Sequence, residues 1–328
     1  MLDEFQYVFW WNKILKSLYD DNKVKLKIIA TGSWMWNLKE DNSSLVWRWE
    51  EIFVYPFSFF EFIEIKWYNL TNFSINSYND LLAKYFSKAY EEFLIFGWYP
   101  AVVLAQTKQE KIKNLEKIIK KYIEKDISFF LSEQDFINFK KFFLYFVSQI
   151  WNLIKKESIA NYLWIKTKKV EKYLMILEKT LFLSFAYPFF KNKQKEYSQA
   201  PKAYFVDVGI VNFLKKNFEF IDFWINNEHF IFNELQKSKQ YNQDEIKIYK
   251  KLSKSEIDFI YDGLEKLIPI EVKSSNSLAI PKIFYSFEKD YWEKVNFYVK
   301  TTKTVFDKTK IEDKDLLFIP NFLISKIL

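Results

Sequence analysis

Hydrophobic and polar positions follow three different patterns along the chain. Short apolar runs at residues 25–30 and 52–54 predict buried strands near the N-terminus. From Tyr78 to Lys125, and again over residues 132–190, apolar residues recur at helical spacing, with a break at Gly97–Pro100. Further on, a helix is predicted at residues 226–235 and strands at residues 246–249, 256–261, 267–272 and 295–299. The pattern predicts an α/β protein with a helical middle and a β-rich C-terminal domain.

The composition excludes several kinds of catalytic and metal site but says little about binding partners. The 328 residues are 49% hydrophobic, which suits about two domains with a sizeable core. There is no cysteine and only one histidine, His229, so we expect no disulfide, zinc or haem site. The net charge of +7 comes almost entirely from lysines spread along the chain, so by itself it only mildly favours an anionic partner. We find neither a signal peptide nor a membrane-spanning run, and expect a cytoplasmic protein without membrane contact.

The strongest chemical motif lies near the C-terminus. Asp258 falls in one predicted strand, and Glu271-Val-Lys273 follows in the next, after a turn at Asp262-Gly263. An antiparallel hairpin would bring Asp258 beside Glu271, and strand alternation places Glu271 and Lys273 on one face. Two carboxylates can hold Mg²⁺, while the lysine orients or deprotonates the attacking water and stabilises phosphate charge. This is the pattern of restriction-endonuclease-like nucleases; the alternative is a solvated ion pair on an edge strand.

The predicted helix at residues 226–235 supplies further candidates. An upstream helix in the restriction-endonuclease-like fold often adds an acidic ligand, and Glu228 or Glu234 is available for that role. His229 stands alone on this half-buried helix, so we expect it to serve packing or capping instead of metal binding.

A second candidate site lies at the start of the sequence. Asp3 and Glu4 follow an apolar residue, as at the end of a Walker B strand, where the aspartate holds Mg²⁺ and the glutamate polarises water. The next apolar run ends in Thr31-Gly32-Ser33, which has the placement of a loop that touches the γ-phosphate. An Asp-Glu pair by itself is common without any such function.

Residues 158–177 have the spacing of a helix-turn-helix. Thr167, Lys168 and Lys169 would begin its second helix, where phosphate or base contacts form. These three residues are the candidates for contact with DNA. The alternative is that the unit serves only as a spacer.

Taken in order, the motifs resemble those of the prokaryotic AAA-superfamily P-loop ATPases that carry a C-terminal domain of unknown function. Each motif is weak alone, but the ordered set is specific and covers essentially the whole chain. The matching segments are Leu2–Gln6, Ile28–Ser33, Trp47-Arg48, Pro56–Phe62, Phe96–Pro100, Asp126-Ile127, Tyr204–Gly209, Glu228–Leu235, Glu256–Phe259 and Pro269–Lys273.

The resemblance implies a domain order and a set of cofactors. It implies a partial AAA-type core over residues 1–77, a helical lid over 78–130, a winged helix over 131–200 and a restriction-endonuclease-like domain over 201–328. ATP and Mg²⁺ would be the cofactors, with Glu4 at the attacking water. The nucleotide and its metal would be held by Asp3, Thr31, Ser33 and Arg48. Arg48 would reach a phosphate in cis or from a neighbouring subunit, which is compatible with a homo-oligomer.

The sequence departs from the family at one essential element. It contains no Gly-x-x-x-x-Gly-Lys-Ser/Thr loop, which supplies the N–H cradle and the lysine for the phosphates. We therefore expect a truncated or degenerate member that does not bind ATP by itself. Three functions remain open: membership of the ATPase family, a Mg²⁺-dependent nuclease, and a non-catalytic module that binds DNA or protein.

The chain has 4 glycines and 12 tryptophans, an unusual ratio. Five tryptophans stand where the family has glycine or where a turn favours it: Trp47, Trp98, Trp151, Trp164 and Trp292. Our hypothesis is a genome that reads UGA as glycine, which would bring the glycine count to 4 + 12 = 16. It predicts that several of these tryptophans are exposed at tight turns.

Overall fold

A computed structural model describes fourteen segments of the chain: residues 1–4, 11–21, 27–32, 50, 52–66, 73–150, 152–192, 194, 196, 199–219, 221–238, 245–251, 255–263 and 266–327. Four residues singled out above, Ser33, Trp47, Arg48 and Trp151, lie outside these segments. The described part is a mixed α/β fold built on an eight-stranded sheet, as the pattern predicts. None of its helices is long and apolar enough to cross a lipid bilayer.

The N-terminal segments contain one helix, α1 (Trp11–Asp21), and one strand-like contact. Leu2 forms a parallel bridge with Ala30, in which Leu2 N donates to Ile29 O and Thr31 N donates to Leu2 O, both at 2.8 Å. The predicted buried strand at residues 52–54 is wrong, because this segment joins no ladder among the described residues and its side chains are exposed. Apolar character alone therefore did not establish strand pairing here.

The middle of the chain is helical, as predicted, and its helix ends follow from the sequence. Asn79 caps one helix by accepting a hydrogen bond from Leu82 N, and Gly97 ends that helix with a φ of +79°. Thr107 and Glu110 form a capping box at the start of another helix. The helices are α2 (Phe59–Lys66), α3 (Asp80–Phe96), α4 (Pro100–Val103), α5 (Lys108–Lys121), α6 (Glu133–Ser148), α7 (Lys156–Leu163) and α8 (Thr167–Lys179).

The C-terminal half carries the sheet. Its strands are β1 (Leu183–Pro188), β2 (Lys202–Phe205), β3 (Ile246–Lys250), β4 (Glu256–Asp262), β5 (Leu267–Glu271), β6 (Phe297–Thr302), β7 (Asp307–Ile311) and β8 (Lys314–Pro320). The spatial order is β2-β1-β3-β4-β5-β6-β8-β7, with parallel pairs at β1–β3, β5–β6 and β6–β8. Helices α9 (Val208–Leu214), α10 (Phe223–Ser238) and α11 (Lys282–Tyr291) accompany these strands. Strand β1 is a correction, since residues 132–190 were predicted to be helical throughout.

One aromatic core joins elements that are distant in the sequence. Phe59 of α2 lies 5.5 Å from Phe93 of α3, 6.1 Å from Phe230 of α10 and 5.9 Å from Phe322 after β8, between ring centroids. All four side chains are fully or almost fully buried. Helices α2, α3 and α10 therefore pack together against one face of the sheet, and this packing fixes α10 in place.

A buried carboxylate, Asp207, joins the loop after α3 to the end of β2. It accepts hydrogen bonds from Trp98 N at 2.6 Å, Tyr99 N at 3.1 Å and Gly209 N at 2.7 Å. Burial raises the pKa of this carboxyl to about 6. A Cβ on Gly97 would lie only 1.9 Å from Asp207 Oδ1, so both the positive φ and the close approach require glycine there.

The tryptophan prediction holds at two of the three described turn positions. Trp164 ends α7 in the left-handed conformation, with φ +54° and 94% exposure, and Trp292 directly after α11 is also exposed. Trp98 contradicts the expectation, because it is fully buried and its indole N–H donates to Val206 O at 2.6 Å. The left-handed conformation at Trp164 is one that favours glycine.

Candidate functional site

The hairpin that was predicted to build the C-terminal site is present. Strands β4 and β5 are antiparallel, with Phe259 opposite Ile270, and Gly263 N donates to Lys266 O at 2.9 Å in the connection. This register brings Asp258 next to Glu271 at the open end of the hairpin. The alternation rule and the Asp262-Gly263 turn were therefore sufficient to place these two carboxylates together.

A register shift between β3 and β4 lies beside Asp258. Between Lys247 and Tyr249, β3 advances two residues while β4 advances three, from Ile260 to Ile257. The extra residue falls in the part of β4 that contains Asp258, and bulges of this kind redirect side chains next to active sites. Asp258 Oδ2 accepts a hydrogen bond from Val272 N at 2.7 Å, which ties it to the segment that follows β5.

Glu271 and Lys273 form a direct ion pair on one face, as predicted. Lys273 Nζ lies 2.7 Å from Glu271 Oε1, and the glutamate is almost fully buried while the lysine is partly exposed. The other carboxylate oxygen, Glu271 Oε2, is buried and has no hydrogen-bond partner among the residues that the structure describes. A buried acceptor without a partner is unfavourable, so this oxygen is available to a cation or a donor.

Burial and the neighbouring charges shift the pKa of three ionisable groups at this site, Asp258, Glu271 and Lys273. Burial, followed by the neighbouring charges of Glu271 and Glu228, raises the pKa of Asp258 to about 8. Burial also raises the pKa of Glu271, although Lys273 counteracts part of this effect. Burial would lower the pKa of Lys273, but Asp258 and Glu271 outweigh it and raise the pKa of the amine. The site thus combines a protonated lysine with two carboxyls that are hard to ionise together.

Glu228 is close enough to influence Asp258 but has partners of its own. Its Oε1 accepts from Lys202 Nζ at 3.0 Å and from Tyr204 OH at 2.6 Å, both on β2. Sequence reasoning missed Lys202 and Tyr204, since their role follows only from the packing of β2 beside α10. His229 is a packing residue, as expected: its Nε2 accepts from Phe205 N at 3.2 Å, and burial lowers its pKa to about 3.

The alternative helix acid, Glu234, lies in a different environment. It is buried and accepts from Phe59 N at 3.2 Å, with Lys237 Nζ 3.6 Å away. Burial raises the pKa of Glu234 and lowers that of Lys237. Glu234 therefore helps to anchor α2 on α10, which leaves Glu228 as the helix acid nearest to the site.

The residues present fit a hydrated Mg²⁺ better than a closed metal cage. In the described segments, no three histidine, cysteine, aspartate or glutamate side chains form a ready-made ligand cluster. Magnesium commonly uses only one or two carboxylates and retains several waters. Asp258 and Glu271 supply two carboxylates, and the unpartnered Glu271 Oε2 is an oxygen that such an ion would satisfy.

At the N-terminus, the structure brings together three predicted residues. Thr31 Oγ1 donates a hydrogen bond to Asp3 Oδ1, and the Leu2–Ala30 bridge sets the two segments side by side. Glu4 has a positive φ of +51°, and its Oε1 lies 3.1 Å from Lys125 Nζ. Lys125, which the sequence analysis did not assign to this site, comes from the segment after α5. Its approach to Glu4 depends on tertiary packing between residues 121 positions apart.

The predicted DNA-contacting residues lie at the start of α8, where the helix-turn-helix spacing placed them. Helix α8 begins at Thr167, and Lys168 is exposed. Lys169 Nζ lies 2.6 Å from Asp135 Oδ1 of α6, so its charge is already paired. Helices α6, α7 and α8 are followed by the antiparallel pair β1–β2.

Comparison with family models gave three matches. Residues 1–63 match an AAA domain, residues 87–220 match a domain of unknown function (DUF8612), and residues 227–320 match a second domain of unknown function (DUF4143). No curated protein and no solved structure matched the chain significantly. The AAA-domain match includes Asp3, Glu4 and Thr31, and the third match includes Asp258, Glu271 and Lys273. The chain therefore contains an N-terminal segment similar to an AAA domain and a C-terminal segment similar to a domain of unknown function.

Proposed function

We propose that the C-terminal domain of this AAA-type ATPase-like protein is a Mg²⁺-dependent nuclease of restriction-endonuclease-like architecture. The observation that carries the proposal is the meeting of Asp258, Glu271 and Lys273 at one end of a hairpin, with Glu271 Oε2 buried and unpartnered. Paired carboxylates beside a lysine are suited to phosphodiester hydrolysis, because charge develops on the phosphate oxygens as the bond breaks.

Each residue has a distinct role in this proposal. Asp258 and Glu271 would hold Mg²⁺, which would lower the pKa of a bound water and polarise the phosphate. Glu228 lies behind them and is held by Lys202 and Tyr204. Because its neighbours raise its pKa, Lys273 stays protonated at neutral pH. As a cation it would orient the water and stabilise the charge that develops on the phosphate.

The direct test is nucleic-acid cleavage by the full chain in Mg²⁺. Single-stranded DNA, double-stranded DNA and RNA would each be incubated with wild type, Lys273→Ala and the matched control Lys310→Ala, which changes an exposed lysine on β7. We expect cleavage that EDTA and Lys273→Ala abolish and that Lys310→Ala leaves unchanged. Equal cleavage by all three proteins, or cleavage of none of the substrates by folded wild type, would contradict the proposal.

A second candidate function is DNA binding through the helix-turn-helix, which we propose to be a winged helix. The supporting observation is that α6, α7 and α8 precede an antiparallel strand pair, with Lys168 exposed at the start of α8. Binding without cleavage, with affinity that falls steeply as salt rises, would favour a non-catalytic module over the nuclease.

For the N-terminal segment we propose a nucleotide-associated role. The pairing of Asp3 with Thr31 supports a Walker B strand beside a phosphate-sensing loop. The 328-residue sequence contains no Gly-x-x-x-x-Gly-Lys-Ser/Thr motif, so we expect no ATP turnover from this chain alone. Turnover by the purified chain that Glu4→Gln abolishes would refute this expectation.

A further inference from the structure

The proposed catalytic lysine lies just beyond the regular sheet. Strand β5 ends at Glu271, whose last ladder partner on β6 is Lys300. Lys273 is two residues further on, where strand pairing no longer fixes the backbone. A lysine in such a position would ordinarily vary in its placement, and a catalytic group needs to be held within a fraction of an ångström.

Side chains replace the missing ladder at this point. Lys273 N donates to Thr301 Oγ1 at 2.8 Å, and the same hydroxyl donates to Lys273 O at 3.3 Å. Asn321 Nδ2 donates to Lys273 O at 2.9 Å and to Thr302 O at 3.1 Å. Both the N–H and the C=O of Lys273 are therefore fixed by two residues from separate elements.

These two residues are themselves rigidly placed. Thr301 is 0% exposed and stands opposite Ile319 in the parallel β6–β8 ladder. Asn321 is 2% exposed and directly follows β8. Because the anchors are buried in the sheet while the Lys273 side chain remains partly exposed, the backbone is held and the amine is free to reach Glu271 Oε1.

We propose that Thr301 and Asn321 are positioning residues that hold Lys273 in register with Glu271 and Asp258. The inference rests on the proposed nuclease function for its catalytic consequence, but its structural part concerns Lys273 alone. The Thr301 hydroxyl is the decisive group, because its single oxygen both accepts from the N–H and donates to the C=O of Lys273. A valine of the same shape can do neither.

The test compares Thr301→Val with Thr301→Ser, using Thr309→Val on the exposed strand β7 as the matched control. In Mg²⁺-dependent cleavage, we expect Thr301→Val to lower kcat by tenfold or more with KM nearly unchanged. Thr301→Ser should restore kcat to within about threefold of wild type, and Thr309→Val should match wild type. Thr301→Ala serves as the second variant if valine prevents folding, which circular dichroism would show.

A second readout does not depend on cleavage. The Lys273 N–H donates to the Thr301 hydroxyl, so loss of that hydroxyl should open this amide to hydrogen exchange. We expect NMR to show exchange at the Lys273 amide that is about tenfold faster or more in Thr301→Val and close to the wild-type rate in Thr301→Ser. If wild type cleaves nothing, the nuclease proposal fails while this exchange rate still decides the positioning role. An exchange rate at Lys273 and a kcat that are both unaltered in Thr301→Val would overturn the inference.

Discussion

Replacing Asp258 by asparagine should make the metal-free protein more stable, although it removes a proposed catalytic group. Asparagine has the same shape, and its Oδ1 can still accept the hydrogen bond from Val272 N. The change removes the charge and replaces one carboxylate oxygen by an amide NH₂ group. Since Asp258 is 8% exposed and faces Glu271 and Glu228, that charge is unfavourable in the folded state.

The magnitude follows from the raised pKa. The pKa of Asp258 rises from its ordinary value of 3.8 to about 8. The folded state therefore binds the proton more tightly than the unfolded state, so the stability linked to this group is complete below pH 4 and is lost as the pH rises towards 8. At pH 7 the free-energy cost of the ionised Asp258 in the folded state corresponds to about three pKa units, or on the order of 4 kcal/mol at 1.36 kcal/mol per unit. Because Asp258 and Glu271 titrate as a pair, we expect a gain of about 2 to 4 kcal/mol.

The assay is urea unfolding of wild type and Asp258→Asn at pH 4.5 and pH 8, in EDTA and in Mg²⁺. We expect the variant to be more stable at pH 8 in EDTA, and the difference to shrink to about 1 kcal/mol or less at pH 4.5. Mg²⁺ should stabilise wild type but not the variant, because the ion offsets the carboxylate repulsion. Asp307→Asn on β7 is the exposed control. A variant that is no more stable at pH 8, or that differs equally at both pH values, would refute the reasoning.

Three further predictions concern other parts of the molecule. Gly97→Ala should lower the free energy of unfolding by about 2 kcal/mol or more in urea titrations, because its Cβ would meet Asp207 and its φ is positive; unchanged stability would contradict the contact. Lys168→Ala should weaken DNA binding and reduce the slope of log affinity against log salt by about 1, whereas Lys310→Ala should not; equal slopes in fluorescence anisotropy would exclude the contact. Trp164→Gly should stabilise the protein by about 1 kcal/mol, because glycine adopts the left-handed conformation of this residue without steric strain. The UGA hypothesis is tested separately: peptide mass spectrometry that finds tryptophan at this position in the native protein would refute it.

Much of the C-terminal site was predictable because it depends on local spacing. The turn at Gly263 and the apolar runs on each side predict the hairpin, and period-two alternation places Glu271 and Lys273 on the same face. The break between α3 and α4 follows equally from Gly97 and Pro100. These features need information from only a few neighbouring residues.

Other features were not visible in the pattern. Strand β1 was predicted to be helical, and its identity as a strand depends on pairing with β2 and β3. The helix α11 and the β7–β8 pair were not predicted at all, although both complete the sheet domain. The apolar run of β1 suits a buried helix as well as a strand, so only tertiary pairing decides between them.

The sequence by itself determined which chemical groups are present and which of them share a strand face. The tertiary structure decided which residues support these groups: the β2 residues that hold Glu228, and the Thr301 and Asn321 contacts that fix Lys273. The physical reason is that alternation operates within one strand, whereas register and side-chain hydrogen bonds join residues that are far apart along the chain. Such contacts exist only once the sheet has assembled.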